Sequence, residues 1–411
     1  MKKLVTKWHV LFIVLLACTF ALSGLAGAAD YKFPKALKIA TPALGSNSYN
    51  LVLAWANKLE EGTGMKVRLL PENSVSAKWG NLKAKRFDLM QDTFGYIANW
   101  MIEGEGGFAT KKTGPFPVRL FWQNQMMTFC LFVRGDSPVN TIYDIPKQGK
   151  DFRMVHWTVP GGLEVLQASL AWVGKTVDDV TLVKTNSYPG SVRMVAEGKA
   201  DFAPFGIPPA SVFIEAAAGP HGLKILDLDP VGDPEGARQF RRYMPSYTFP
   251  KNVAGPDEFK GKTGWGTQGG LICHADMDTD LVYNIIKWSM DNFGELAPLH
   301  PFIKYFMNAG ANKATFDKGY IPLHDGVIRY FKEKGQWTAA NERRQEYNLK
   351  LQEMYMAAFK EALAEADKKK VKVSADNENW LKLWAGIKRD KGLPRLTVLT
   401  DDEIAAKLKK M

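Results

Sequence analysis

Short runs of alternating apolar and polar residues recur along this chain, most of them followed by apolar residues at helical spacing. Leu37-Lys38-Ile39-Ala40 alternates as a strand does, and residues 41–49 form a loop of turn formers. Leu51, Trp55 and Leu59 then recur every four residues, with Val52 and Ala56 beside them, as on one face of a helix. Gly62 and Gly64 close that helix, and residues 65–70 read as the next strand. The unit is β-loop-α-β, and its first loop opens on a helix N-terminus. Free N–H groups and the helix dipole favour an anionic ligand group there. The same residues also describe an ordinary helix capped by Ser46, Asn47 or Ser48.

The pattern continues downstream. Phe87-Asp88-Leu89-Met90 predicts a strand ending at Gln91-Asp92-Thr93, before an aromatic helix through Tyr96 and Trp100. Residues 103–117, rich in Gly, Lys and Pro, predict a loop, and residues 118–133 two strand-like pieces. A second series places strands at 152–157, 180–184, 200–205 and 223–228, with helices at 163–173, 192–197 and up to Ala218. Repeated units of this kind predict mainly parallel sheets covered on both faces. Two series predict two α/β lobes with a ligand cleft between them. Residues 229–264 read as a long connection, 270–273 as a strand, and 280–292 as an amphipathic helix through Val282, Ile285, Ile286 and Met290.

The last section is different. Tyr347, Leu351, Tyr355 and Phe359 recur every four residues along a helix of about thirty residues. Residues 368–372 break it, and Trp380, Leu381, Leu383, Trp384 and Ile387 mark another helix. Thr400-Asp401-Asp402-Glu403 is a capping box opening the last one. The tail is expected to be folded and to pack on a lobe.

The N-terminus changes the picture of location. Lys2, Lys3 and Lys7, the apolar run 10–21 and Ala26-Gly27-Ala28 make a signal peptide over residues 1–28. Leu15-Leu16-Ala17-Cys18 loosely resembles a lipoprotein site and ranks second. No later stretch approaches the ~20 apolar residues of a membrane span. The expectation is an exported, periplasmic protein. Cleavage takes the formal charge from +11 to about +8, which is weak evidence about partners. No basic stripe interleaved with aromatics is present, which argues against nucleic acid. Cys130 and Cys273 sit in apolar runs and read as buried thiols, although export permits a disulfide between them.

Catalytic signatures are missing. The chain has no GxSxG elbow, HExxH, P-loop or dinucleotide fingerprint. Asp276-Met277-Asp278-Thr279-Asp280 imitates a calcium loop, but Leu281 and Lys287 stand where glycine and glutamate are needed. It reads instead as an acidic helix start. His156, His221, His274, His300 and His324 lack metal-ligand spacing. The reading is a non-enzyme without metal or cofactor.

Ile321-Pro322-Leu323-His324-Asp325-Gly326-Val327-Ile328-Arg329-Tyr330-Phe331-Lys332-Glu333-Lys334-Gly335 closely resembles the closing signature of the TAXI family. These are solute-binding proteins of tripartite ATP-independent periplasmic (TRAP) transporters. Asp325 and Val327 replace a proline and an alanine of that pattern. Arg134-Gly135-Asp136-Ser137 with Asp144, Gly198-Lys199-Ala200-Asp201 with Gly206-Ile207-Pro208, and Leu281-Val282-Tyr283 are similar to further family segments, in order.

The resemblance implies a type II periplasmic-binding-protein fold, two α/β lobes closing on a hinge over a small organic solute. That solute would be a dicarboxylate, oxo acid or amino acid, delivered to TRAP membrane subunits. Two cleft turns depart from the family: residues 41–49 keep Thr41, Gly45 and Tyr49 but few glycines, and the second turn is reduced to Val159-Pro160-Gly161-Gly162-Leu163-Glu164. On this reading residues 29–130 and 245–336 form the first lobe, 131–244 the second, and 337–411 a C-terminal helical extension. The extension lies beyond the usual family end and is by default a lid on one lobe; a docking surface or a homodimer interface are the other uses. The rival function is a periplasmic sensor partner or an enzyme on the same fold.

Ligand contacts are expected from loops at strand C-terminal ends. In the first lobe these are Ser46, Asn47, Ser48 and Tyr49, then Asn73 and Ser74, then Asp92 and Thr93. In the second they are Trp157, Thr158, Gly161 and Gly162, then Ser187 and Tyr188, then Gly206. The amides of Gly161 and Gly162 would hold a carboxylate, and Trp157 and Tyr188 would pack on an apolar ligand body.

Overall fold

The computed structural model describes residues 31–42, 44, 46–93, 95–158 and 161–411. The expected signal peptide, with Cys18, lies outside them, as do Gly45, Val159 and Pro160 of the two expected cleft turns. The first predicted unit is present. Strand β1 (Ala36–Thr41) leads to the helix Asn47–Thr63 and on to β2 (Lys66–Pro71). Leu51, Trp55 and Leu59 are fully buried along that helix, and Gly64, at φ 70°, ends it in the left-handed conformation a glycine allows. The remaining strands are β3 (Leu89–Thr93), β4 (Val118–Arg134), β5 (Arg153–Trp157), β6 (Thr181–Thr185), β7 (Phe202–Gly206), β8 (Leu223–Leu226) and β9 (Trp265–His274). Their order is β2-β1-β3-β9-β4-β7-β5-β6, with β8 on β4.

Parallel pairing joins β1 to β2 and β3, and β5 to β6 and β7. The sheets are mixed rather than mainly parallel, because β9 runs antiparallel to β3 and β4, and β4 antiparallel to β7 and β8. Residues 118–133 are one strand of 17 residues, not two pieces. Register shifts at Leu120/Trp122 and Gln123/Gln125 interrupt its alternation, which is why it reads as broken. Strand β4 carries the chain from one lobe to the other, and β9 brings it back beside β4. Two α/β lobes joined by these crossing strands make a type II periplasmic-binding-protein arrangement.

Each lobe has its own core. Ile39, Trp55, Leu89, Phe121 and Ile272 belong to the first. The second-lobe sheet divides two clusters, one with Met154, Leu166, Phe240 and Trp265, the other with Phe132, Val155, Val192 and Phe213. The expected connection at 229–264 contains a further helix, Pro234–Tyr243, capped by Asp233 with proline at its start. Only Ala237 and Phe240 of its residues belong to the core, so the apolar period is too sparse to read.

The TAXI-like segment is structural. His324 is buried and caps the helix Asp325–Glu333 by accepting from Gly326 N at 3.2 Å, while its Nε2 lies 2.9 Å from the Met277 carbonyl. A Cβ on Gly326 would sit 2.6 Å from Thr279 O and 2.7 Å from Tyr283 N, so this glycine lets Asp325–Glu333 approach the helix Thr279–Asp291. Asp278 caps the latter helix, as the acidic start suggests. Among the described residues no group of His, Cys, Asp and Glu is arranged to hold a metal, and no helix is long and apolar enough to cross a membrane.

Cys130 and Cys273 are both buried free thiols. Cys273 pairs with Arg119 on β4, whereas Cys130 lies eleven residues further along that strand, on the order of 35 Å away. A disulfide between them is excluded by that separation.

The extension packs on the first lobe. Tyr347, Leu351, Tyr355 and Phe359 of the helix Ala339–Lys368 join its core, as do Trp380 and Trp384 of the helix Glu378–Asp390. Buried carboxamides between the aromatics satisfy first-lobe backbone. Gln345 bonds both N–H and C=O of Leu323 at 2.8 and 2.9 Å, and Gln352 and Asn348 donate to Val118 O and Gly319 O. Beyond these helices, Leu396 N donates to Glu103 Oε1 at 2.6 Å, and Thr397 Oγ1 donates to Pro245 O at 2.7 Å. Glu103 ends a first-lobe helix, Gly95–Glu103, whereas Pro245 lies between Met244 and Tyr247, both in the second-lobe core. Residues 396–398 therefore strap the two lobes together.

Burial pushes the Glu103 carboxyl up to about 7, against the pull of Arg395 at 3.7 Å and the Leu396 N–H. The folded protein then keeps a proton that the unfolded chain releases at its ordinary value near 4.5. Stability falls as pH rises from that value to about 7, by on the order of 3 kcal/mol, and this contribution is flat above. Glu103→Gln should flatten that segment of a plot of urea midpoint against pH. Parallel profiles for variant and parent would reject the assignment.

Candidate ligand cleft

Because β1, β2 and β3 are parallel, their C-terminal ends share one edge of the first lobe. The loops after β1 and β2 bring Ser46, Asn73 and Ser74 to that edge, where β3 itself ends in Asp92 and Thr93. Strands β5, β6 and β7 do the same in the second lobe for Trp157, Thr158, Ser187 and Gly206. The topology therefore gathers the expected positions into two rims, joined by β4 and β9.

Local roles differ from one position to the next. Ser46 caps the helix Asn47–Thr63 by accepting from Tyr49 N at 3.2 Å. Ser74 accepts from Ala77 N, and Ser187 from Gly190 N, in the same way. Asn47 is the first residue of its helix, and Ser48 and Tyr49 are half-buried in its first turn. Asn73 is exposed. Asp92 and Thr93 stand opposite Gly270 and Gly269 of β9. Thr158 bonds the Thr185 carbonyl through both its N–H and its hydroxyl, tying the β5 and β6 ends together.

The second-lobe turn has no such cap. Gly161, at φ 84°, starts the helix Gly162–Trp172, and among the described residues no side chain caps its first amides. A Cβ on Gly162 would lie well inside contact distance of Trp157 O, so only glycine lets the helix begin against the end of β5. The result is an open helix start beside Trp157.

An aromatic wall continues from there. Trp157 lies 4.7 Å from Phe205 and 6.5 Å from Tyr188, ring to ring. Phe205 stacks on Phe129 of β4 at 4.3 Å, and Phe129 meets Trp265 of β9 at 4.4 Å. Trp157 and Tyr188 are half-buried. The Tyr188 hydroxyl accepts from Ile207 N at 2.9 Å, and burial raises its pKa far above the ordinary value, so it stays neutral. Gly206 is buried against Cys130, Phe132 and Phe213 and works in packing. Phe129, Phe205 and Trp265 are absent from the sequence-based expectation. Alternation alone does not show that the crossover strands turn aromatic rings toward the β5 end. A cavity of about 190 Å³ lined by Ile145, Lys150, Lys175 and Val180 lies at the opposite end of β5 and β6, away from these residues.

A family model described as NMT1-like matches residues 39–335. The chain belongs to the NMT1-like family. Its match covers both lobes and stops where the extension begins. Among solved structures, this NMT1-like chain is similar to one described as a periplasmic transporter, with 12% identity, 83% of this chain and 98% of the other covered, and a TM-score of 0.44. It is also similar to a TctC solute-binding protein from Polaromonas (13% identity, 76% and 96% covered, TM-score 0.42). A third is the periplasmic aliphatic sulphonate-binding protein SsuA from Escherichia coli (13%, 74% and 88%, TM-score 0.37). At these scores the likeness is one of outline. No curated protein matches the sequence.

Proposed function

We propose that this NMT1-like protein is a periplasmic solute-binding protein that captures a small organic, carboxylate-bearing solute by hinged closure. It hands that solute to TRAP transporter membrane subunits, as the TAXI-like segment at residues 321–335 suggests. The observation that carries the reading is the pair of rims at parallel-strand C-terminal ends, linked through β4 and β9, within the family-matched region. The open helix start at Gly162 suits a carboxylate, and the wall of Trp157, Phe205 and Tyr188 suits an apolar body. Closure is favoured because the solute touches both rims only in the closed state.

We place the two crossings within β4 and β9 themselves, since Phe129, Cys130 and Trp265 already pack with the second lobe, so the first crossing falls just before residue 129 rather than at 131 and the return falls at β9 rather than at residue 245. Tyr247 and Phe259 pack in the second-lobe cores, which favours the later boundary. Residues 337–411 act as a cover on the first lobe that also reaches the second at Pro245; the apolar stripe that would serve a dimer is already used inside the chain.

The test is mass spectrometry of small molecules released from the denatured native protein, followed by thermal shift with whatever is found. A hundredfold excess of solute over Kd should stabilise the fold by about 2.7 kcal/mol. A folded, ligand-free protein that no small organic solute stabilises would sink the proposal.

A further inference from the structure

Gln123 is the most unusual residue of the crossover. Its side chain is 1% exposed, yet neither Oε1 nor Nε2 has a hydrogen-bond partner among the described residues. Its backbone is the opposite case. Asn312, itself fully buried, accepts from Gln123 N at 3.0 Å and donates to Gln123 O at 3.2 Å. One carboxamide is thus spent fixing the main chain at the place where β4 shifts register, between Gln123 and Gln125. The other carboxamide is held there and left unmatched.

Its level in the fold is informative. Gln123 and Asp92 both stand opposite Gly270 of β9, so Gln123 is level with the C-terminal end of β3, at the rim edge of the first lobe. A Cβ on Gly270 would collide with Trp122 O, so β4 and β9 approach closely at this point. A few residues on, Phe129 and Trp265 are already in the second-lobe core. Gln123 is therefore at the floor between the two rims. Asn99, in the helix that follows β3, repeats the pattern: 1% exposed, with both Oδ1 and Nδ2 unmatched among the described residues. Buried polar groups without partners are rare, because stripping them of water is costly. A carboxamide left unmatched at both ends, level with the rim edge of the first lobe, points to a polar occupant.

We infer that Gln123 is a specificity-determining residue of the proposed solute site. It selects a solute that carries a hydrogen-bond donor beside its carboxylate. A carboxamide presents a donor and an acceptor side by side. A bare carboxylate offers acceptors only and would set an oxygen against Gln123 Oε1. A 2-hydroxy or 2-amino acid satisfies both atoms. This rests on the solute-binding reading above and narrows its ligand class.

The experiment is calorimetric titration of the ligand-free protein with matched pairs: malate against succinate, glutamate against glutarate, and lactate against propionate. In at least one pair the donor-bearing acid should bind about tenfold or more tightly, since a buried polar group left unpaired by the analogue penalises it. Gln123→Met, close in shape, should erase that preference while leaving the ligand-free melting temperature unchanged or higher. A merely structural glutamine would instead lower it. If Gln123→Met does not fold, Gln123→Glu replaces it and should reject both members of the pair through carboxylate repulsion. Wild-type preference retained in the variant overturns the inference. So does equal binding of both members in every pair, or binding of uncharged solutes alone; in these cases solute binding itself survives. Only a protein that binds no small organic solute brings down both.

Discussion

Trp380→Ala should lower the unfolding free energy by about 3–5 kcal/mol, the range for emptying a buried tryptophan site. Trp380 lies outside the family-matched region, but its ring is fully buried in the first-lobe core. It packs edge-on against Phe359 at 5.7 Å, and its Nε1 donates to Ala109 O at 2.6 Å. Truncation removes the ring contacts and leaves a buried carbonyl without its donor. Trp380→Phe separates these effects, because it keeps most of the ring and forfeits the bond, at about 1 kcal/mol. Urea unfolding of both variants is the measurement. A loss below about 1 kcal/mol for Trp380→Ala would mean that the extension is an ornament on the lobe rather than part of its core.

Gly162→Ala is expected to weaken solute binding at least tenfold and to cost about 2–3 kcal/mol of stability. The added methyl meets the Trp157 carbonyl, which is backbone and cannot rotate aside. The end of β5 and the start of the helix Gly162–Trp172 must therefore separate, and the open amides and Trp157 move with them. Gly161→Ala is the useful comparison. There the obstacle is the left-handed φ of 84°, worth about 1–2 kcal/mol, rather than a collision. Thermal unfolding with and without the released solute reads both quantities. Binding unchanged in Gly162→Ala would remove this turn from the site.

The legible parts of the fold were those written in short-range pattern. Leu51, Trp55 and Leu59 placed the first helix, Gly64 its end, and Thr400 with Glu403 the last capping box. The two-lobe plan followed from repeated β-α units. What the pattern concealed depends on pairing between distant segments. β4 looked broken because bulges disturb its alternation, and the strap from Glu103 to Pro245 joins residues far apart in sequence. The site was legible as a set of loops, since parallel strands put their C-terminal ends on one edge. Its individual residues were less so. Ser46, Ser74 and Ser187 carry the residue type that suits either a cap or a ligand, and the structure shows each capping. Phe129, Trp265 and Gln123 stand out only once β4 and β9 are seen to run side by side.

The strap also bears on how tightly a solute can be held. A lobe rotation that draws Pro245 away from residues 397–398 must break the bonds those residues make to its carbonyl, at 2.7 and 3.4 Å. At about 0.5–1.5 kcal/mol each, they bias one lobe angle over the other by a factor of a few up to about a hundred. If the strapped angle is the open one, apparent affinity falls by that factor and release is faster; if it is the closed one, the reverse holds. Residues outside the matched family region, which need touch no solute, would then set the dissociation rate.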